Sequence, residues 1–429
     1  MKKILISVIM MASAATAWAQ SGTNSPYSQF GYGILSDQSQ SMNRGMNGLA
    51  YGFHERNQIN ALNPASYSAL DSLSFIFDAG ISGQISNFSE NGAKRYAKNA
   101  DIEYIVGAFR IFRRTGVSFG LLPYSNVGYN YYNSDYIDGT KTTSYINTYA
   151  GEGGIHRLYI GLGWAPIKEV ALGVNVSYMW GDLYNSVTNS YSDASVNSLA
   201  KLYSAELKGF SVDLGLQYTA KVSKKDWVTL GVTFSPKHKM KGSPECLVYS
   251  YNSQTQVADT TTYTIDKGMK LPLTIGSGLM WNHDNKLKIG FDYQFMKWED
   301  IAFPQYTNVN NAAKYTLNEN YFNNRSKFTL GGEYCPGERS RSFFKRIHYR
   351  AGVSYTTPYL KINGQDGPKE KAASIGFGIP IINGYNNRSM LSISGQWVQS
   401  TDAFIKENTF RINIGFTFNE RWFAKFKVQ

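Results

Sequence analysis

The sequence predicts an all-β protein, a transmembrane antiparallel β-barrel of about fourteen strands with an N-terminal hatch or plug segment in its lumen. Three observations carry that expectation. From Leu73 onward, apolar residues recur at every second position, the period of a strand and not of a helix. The connections between these segments fall into a short class and a long class, the asymmetry of an outer-membrane barrel. The 429-residue chain is also rich in aromatics (15%) and poor in charge (17%), with 42% hydrophobic residues. That composition excludes a disordered chain. After the first segment no apolar run reaches the roughly 18 residues of a helical membrane span.

Taken in order, the first element is an export signal. Met1-Lys2-Lys3 is a basic start, Ile4 to Met11 an apolar core, and Ala17-Trp18-Ala19 a small-residue cleavage site before Gln20. An uncleaved anchor is the competing reading; the short apolar core followed by small residues argues for cleavage. No Cys stands at that site, so the segment is not a lipoprotein signal. Residues 1–19 are therefore assigned to a cleaved signal peptide of a chain exported from a bacterial cytoplasm to the outer membrane. Loss of Lys2 and Lys3 lowers the formal charge from +12 to 12 − 2 = +10.

Residues 20–71 do not alternate. They hold Gly31-Tyr32-Gly33 and Ser41-Met42-Asn43-Arg44-Gly45-Met46-Asn47-Gly48. The stretch is short for a core of its own, yet Tyr27, Phe30, Tyr32, Leu49, Tyr51, Phe53, Ile59 and Leu62 make it too apolar for a tail. A plug folded inside the barrel satisfies both facts.

Residues 72–419 are assigned to the barrel. In Thr409 to Phe418 the apolar set is Phe410, Ile412, Ile414, Phe416 and Phe418, and the other face carries Thr409, Arg411, Asn413, Gly415 and Thr417. The pattern recurs at 170–180, 210–218, 228–234, 287–295 and 391–397. Trp164, Trp180, Tyr218 and Trp281 end apolar faces, as an interfacial girdle requires. Short turns are expected near Arg113-Arg114, 167–169, 223–225, 283–285 and Asn383-Gly384, with a middling one at 336–345. Long loops are expected at 88–100, 186–202, 240–268, 298–323 and 357–368. A soluble sandwich alternates as well, but its turns are of comparable length at both ends. Residues 420–429 form a basic-aromatic periplasmic tail, either a docking peptide or a segment lying on the inner leaflet.

Asn63-Pro64-Ala65, after a Gly-rich segment and just before the first strand, resembles the NPA motif of the FadL/OmpP1/TodX family of long-chain fatty-acid and hydrocarbon transporters. Ser25-Pro26-Tyr27 and Phe418-Asn419-Glu420-Arg421-Trp422-Phe423 are similar to the Bacteroidota-type variant. Locally, Asn63-Pro64 reads as a turn that aims the chain into the first strand. In the family the third strand is kinked, opening a lateral hole for hydrophobic substrates. The matching strand here, about Thr115 to Asn133, contains Gly120, Pro123 and Gly128. Proline cannot donate to a ladder, so Pro123 predicts a break in pairing, either a lateral opening or a closed bulge.

The resemblance implies a passive outer-membrane transporter of hydrophobic small molecules such as long-chain fatty acids. Arg157, Asp213, Lys286, Lys288, Asp292, Arg350 and Arg411, all read as inward-facing, depart from an apolar lumen. The alternative is a noncatalytic FadL-like barrel serving as a subunit of an outer-membrane protein secretion or assembly complex; Bacteroidota-type relatives include the type IX secretion shuttle protein. A continuous apolar cavity touching Asn63-Pro64-Ala65 and Pro123 discriminates for transport, and a lumen filled by polar pairs discriminates for the subunit. Expected partners are outer-membrane lipids, a hydrophobic substrate or an outer-membrane protein, and no nucleic acid. No enzyme is expected, because the five histidines are scattered and form no nucleophile arrangement. No cofactor or metal is expected either. Cys246 and Cys335 show no metal spacing and no mutual bridge is expected. Gly151-Glu152-Gly153-Gly154 reads as a bend in a long strand.

Overall fold

The computed structural model describes residues 22–72, 74–90, 92–137, 142–266, 268–309, 312–338, 340–381, 389–402 and 405–420. The signal peptide, the tail beyond Glu420 and the turn at Asn383-Gly384 lie outside the described residues. Fourteen strands form the barrel wall: β1 Phe75–Glu90, β2 Ala93–Phe112, β3 Thr115–Tyr136, β4 Ser144–Trp164, β5 Val170–Tyr191, β6 Ser198–Lys221, β7 Asp226–Ser235, β8 Leu273–His283, β9 Leu287–Lys297, β10 Arg325–Tyr334, β11 His348–Thr356, β12 Lys369–Ile381, β13 Ser389–Thr401 and β14 Lys406–Glu420. Each pairs antiparallel with its neighbours in the chain, and β1 pairs with β14 from Phe75↔Glu420 to Ser89↔Lys406. The sheet is closed, which is what allows strands to cross hydrocarbon without exposing an unpaired edge.

The period-two pattern sorts as a membrane barrel demands, with the apolar face outward. On β14, Phe410, Ile412, Ile414, Phe416 and Phe418 are exposed, whereas Thr409, Asn413 and Thr417 are buried. Trp164, Tyr218 and Trp281 point outward near the ends of their strands. Tyr178 stacks on Trp180 at 5.6 Å between ring centroids.

The outer side departs from the expected long loops. Residues 88–100 are mostly β1 and β2 themselves, and β5 and β6 run on through most of 186–202. The stretch 240–268 holds a hairpin, Glu245–Tyr251 with Ala258–Thr264, whose first strand pairs with the outer end of β6 (Tyr251↔Ser198 to Glu245↔Ser204). A second hairpin joins Phe303–Val309 to Ala312–Asn318. Most residues of these segments are exposed or half-buried, although Cys246 is buried, and no lipid-facing apolar register marks them. Their Ser, Thr and Tyr content sustains strand structure without the alternation. Cys246 sits in the outer hairpin and Cys335 at the base of β10; both are free thiols.

The described part of the N-terminal segment lies against the inner wall. Tyr32, Met46, Leu49, Ala50, Ile59, Asn63 and Ala65 are fully buried. It includes a 3-10 turn at Pro26–Gln29, a two-residue strand at Ile34–Leu35, a helical turn at Ser41–Arg44 and a second 3-10 turn at Pro64–Ala69. The wall makes room for it with glycines on its inward face. A Cβ built on Gly173 of β5 would strike the backbone of Pro64 and Ala65, and one on Gly352 of β11 the backbone of Met46.

Candidate functional site

Three features meet in the lumen: the seated Asn63-Pro64-Ala65 turn, a seam between β2 and β3, and buried charge networks. Asn63 caps the Pro64–Ala69 turn, its Oδ1 accepting from the Ala65 N–H at 3.2 Å. Its Nδ2 donates to the carbonyls of Tyr51 (2.9 Å) and Leu216 of β6 (3.3 Å). Ala65 packs with Ala165 and Ala171 at the β4–β5 turn. One side chain thus ties the turn to the N-terminal chain before it and to the wall. Asn63→Ala removes a cap and one of the donors to the Leu216 and Tyr51 carbonyls, the latter keeping Gln217 Nε2 at 2.9 Å, so a loss of about 1–2 kcal/mol is expected. The check is the unfolding midpoint of the refolded barrel in urea.

β2 and β3 pair only from Phe112↔Thr115 to Ile105↔Leu121. Beyond that level β2 continues beside β1 and β3 beside β4, with no ladder between them. Gly120 is opposite Val106 within the paired stretch, just below its end. Pro123 is next to a register shift between Pro123 and Ser125 against β4. The bend spreads sideways through β4, where Gly153 and Gly154 take φ of +113° and +150°, a region that side chains disfavour. Where the seam opens, outward residues are still apolar: Ile102, Ile105 and Leu121. Backbone groups at that depth need partners.

On the β3 side the N-terminal segment supplies them. Ile34 and Leu35 pair with Asn126 and Ser125, the Ser36 N–H donates to the Tyr124 carbonyl at 3.0 Å, and Gln38 donates to the Pro123 carbonyl. The Gly128 N–H donates to Ser28 Oγ at 3.1 Å. On β2, Asn24 donates to the Lys98 carbonyl at 3.1 Å. Pro123 and Gly128 therefore lie on a freed edge that the chain's own segment occupies.

Deeper in the lumen the polar residues pair. Arg44, 3% exposed, meets Glu103 of β2 at 3.0 Å and donates to the Asp37 carbonyl at 2.8 Å. Burial alone would raise the Asp37 carboxyl, but Lys327 and Arg44 beside it hold it well below the usual range. Lys288 of β9 bridges Glu55 (2.7 Å) and Glu333 of β10 (3.1 Å), and Arg350 of β11 meets Glu333 at 2.7 Å. Arg157 pairs with Asp213, and Arg411 donates to Gln84. Asp292 accepts the N–H groups of Ala50 (2.6 Å) and Tyr51 (3.0 Å). Lys286 is the exception among the residues read as inward: it lies in the β8–β9 turn, half-exposed, beside Asp284. Its position follows the turn's register, one residue before β9 begins.

Two cavities flank the segment. The larger, about 690 Å³, lies under the outer hairpins and is lined by Tyr131, Tyr149, Tyr203, Tyr321, Phe30 and Phe303 among others. The other, about 180 Å³, is polar, with Asp37, Asp292, Arg325, Lys327, Glu370 and Arg411 in its wall. Neither is lined by Asn63, Pro64, Ala65, Gly120, Pro123 or Gly128. The seated turn and the seam are not brought together by a cavity. A buried apolar cluster lies between them, running from Tyr67 through Tyr104 and Val106 to Leu122.

Sequence reasoning missed Arg44, Glu103, Glu55 and Glu333, whose pairings cross large chain separations. It also missed the inward glycines. Their signal was available: Gly163, Gly173, Gly215 and Gly231 all stand in the polar register of apolar-alternating strands, and a Cβ on any of them would strike residues 51–68.

The family model BamG matches the chain over residues 1–429. No curated protein matches it. Among solved structures, the Pseudomonas putida toluene transporter TodX superposes with a TM-score of 0.62 at 14% identity, covering 91% of this chain and 100% of that one. The Ralstonia pickettii toluene transporter TbuX gives 0.60 at 12% identity, covering 89% and 98%. A Pseudomonas aeruginosa FadL homologue gives 0.59 at 12% identity, covering 90% and 98%. At such identities the likeness is one of fold.

Proposed function

The chain belongs to the BamG family, and from that premise we propose that it is a noncatalytic barrel of the bacterial outer membrane that serves as a subunit of a protein secretion or assembly complex. The observation that carries this reading is the lumen. Residues 36–63 are pinned across it by Arg44–Glu103, Lys288–Glu55 and the Asp292 contacts to Ala50 and Tyr51. The cavity beside these anchors is walled by charge. A hydrophobic molecule descending there would desolvate ion pairs, each costly to break. The barrel's contribution is then its surfaces: an outer tower of extended strands and hairpins, and a basic periplasmic rim at Arg113, Arg114, Lys168, Lys224 and Lys225. Removal of residues 1–19 as a signal peptide, a plug role for residues 20–71, and contact of the rim with lipid head groups belong to the same reading.

Native extraction in mild detergent followed by mass spectrometry tests it. A protein partner in fixed stoichiometry, with no bound acyl lipid, is expected. Depletion of the chain is expected to lower the amounts of other outer-membrane proteins and leave uptake of hydrophobic compounds intact. A stoichiometric acyl ligand with no partner overturns the proposal.

A second reading has its own observation. The aromatic cavity lies beside the outer end of β3, and the β2/β3 seam opens below it. TodX and TbuX are, by their names, toluene transporters. On this reading the barrel passes hydrophobic small molecules, long-chain fatty acids among them, laterally through the seam at Gly120, Pro123 and Gly128 once Ile34–Leu35 leaves the β3 edge. A disulfide locking that short strand to β3 would then abolish uptake; unchanged uptake with the lock in place removes this reading.

A further inference from the structure

The larger cavity has a charge pattern that neither reading uses. Its lining holds nine tyrosines and two phenylalanines, and among the described residues it holds no lysine, arginine or histidine. In a chain with 43 Lys and Arg and a charge of +12, that exclusion defines the site. The charged groups in the wall are the carboxylates of Glu90 and Asp402. Three of the tyrosine hydroxyls are turned toward the protein: Tyr131 donates to Gln29 Oε1 and Tyr129 to Asn185 Oδ1, both at 2.8 Å, and Tyr27 donates to the Ile405 carbonyl at 2.6 Å. The faces of the aromatic rings carry negative potential, and among the described residues the only charged side chains in the lining are carboxylates.

The rings are arranged as platforms. Tyr131 stacks on Tyr149 with centroids 5.0 Å apart and 18° between planes, and Phe303 on Tyr321 at 4.8 Å and 28°. At the cavity's edge the chain already places a cation on such a face, with Lys201 Nζ 5.0 Å from the centroid of Tyr306. Cations are drawn to aromatic faces, most strongly where water is scarce. A carboxylate ligand would meet the two like charges of the lining, Glu90 and Asp402.

We propose that this cavity binds a small organic cation, a quaternary or protonated amine with apolar substituents, on its tyrosine faces and beside Glu90 and Asp402. The site's volume suits such a ligand, since small-molecule pockets run from roughly 300 to 1,000 Å³. The assignment goes beyond the subunit reading and does not depend on it, because it concerns the outer cavity and not the partner.

Isothermal titration of the full chain in an uncharged detergent tests it with three probes. These are choline, its neutral carbon isostere 3,3-dimethyl-1-butanol, and octanoate. Choline is expected to saturate with a dissociation constant of roughly a millimolar, the isostere to bind about tenfold more weakly, and octanoate not at all. Tyr131→Leu with Tyr149→Leu is expected to weaken choline about tenfold. Glu90→Gln, at an exposed position that folding does not need, is expected to weaken it about twofold. Equal binding of choline and its isostere overturns the proposal. So does a preference for octanoate, or an absence of choline binding by a barrel that keeps its folded mobility.

Discussion

Arg350→Met is expected to lower the stability of the barrel by about 3–5 kcal/mol, the usual cost of removing one partner from a buried charge cluster. Arg350 is 3% exposed. Its Nε bonds Glu333 at 2.7 Å and its Nη1 bonds Ser392 of β13 at 3.1 Å. Without it, Glu333 keeps Lys288 at 3.1 Å and His348 at 3.2 Å but loses its closest partner, and the carboxylate has no route to solvent. The β10–β11–β13 side of the lumen then loses one cation and the bond to Ser392, at the same cluster that holds Glu55 of the N-terminal segment. The measurement is the urea midpoint of the refolded barrel, with Lys225→Met as the control. Lys225 is largely exposed and 3.9 Å from Asp284, so its removal is expected to cost at most about 1 kcal/mol. Equal effects of the two substitutions would show that the lumen network contributes nothing beyond a surface pair.

Gly173→Val is expected to unseat the Asn63-Pro64-Ala65 turn. A Cβ at Gly173 meets the Pro64 carbonyl carbon and the Ala65 nitrogen, which are backbone atoms that no rotamer change can move aside. Overpacking of this kind costs about 1–3 kcal/mol, and the segment, not the fourteen-stranded wall, is the part that gives way. Limited proteolysis should therefore cut within residues 50–70 of the variant and spare the wild type, while the strand content is unchanged. Gly83→Val is the paired control. Gly83 stands on the outward face of β1 with nothing within 4 Å of its added Cβ, so an effect within about 0.5 kcal/mol is expected. Cleavage of both variants at the same rate would mean that the fit at Gly173 does not seat the turn.

Asn63 could be singled out from sequence because a proline follows it and a strand follows soon after; its hydrogen bonds to Tyr51 and Leu216 could not. Pro123 gave a local reason to expect a break in pairing, since a missing N–H is a local fact, and a register shift against β4 lies beside it. That Ile34–Leu35 would fill the freed edge was not legible, because two residues carry no strand signal of their own. The polar inward residues were legible as a set from their register, and Lys286 was misplaced because register is lost within a turn. The outer hairpins were read as loops because strands that face no lipid need no apolar alternation.

What the sequence determined by itself was the closed sheet. Lipid on one side and a packed lumen on the other impose a period of two, and that constraint is written locally at every strand. What only the tertiary structure decided is how the lumen is filled: which cation meets which carboxylate, which glycine receives which turn, and that the cavity beneath the hairpins is lined, among the described residues, by tyrosines and two carboxylates. Those choices join residues tens to hundreds of positions apart, and such pairings leave no periodic trace in the chain; only the closed barrel brings Arg44 to Glu103 and Gly173 to Pro64.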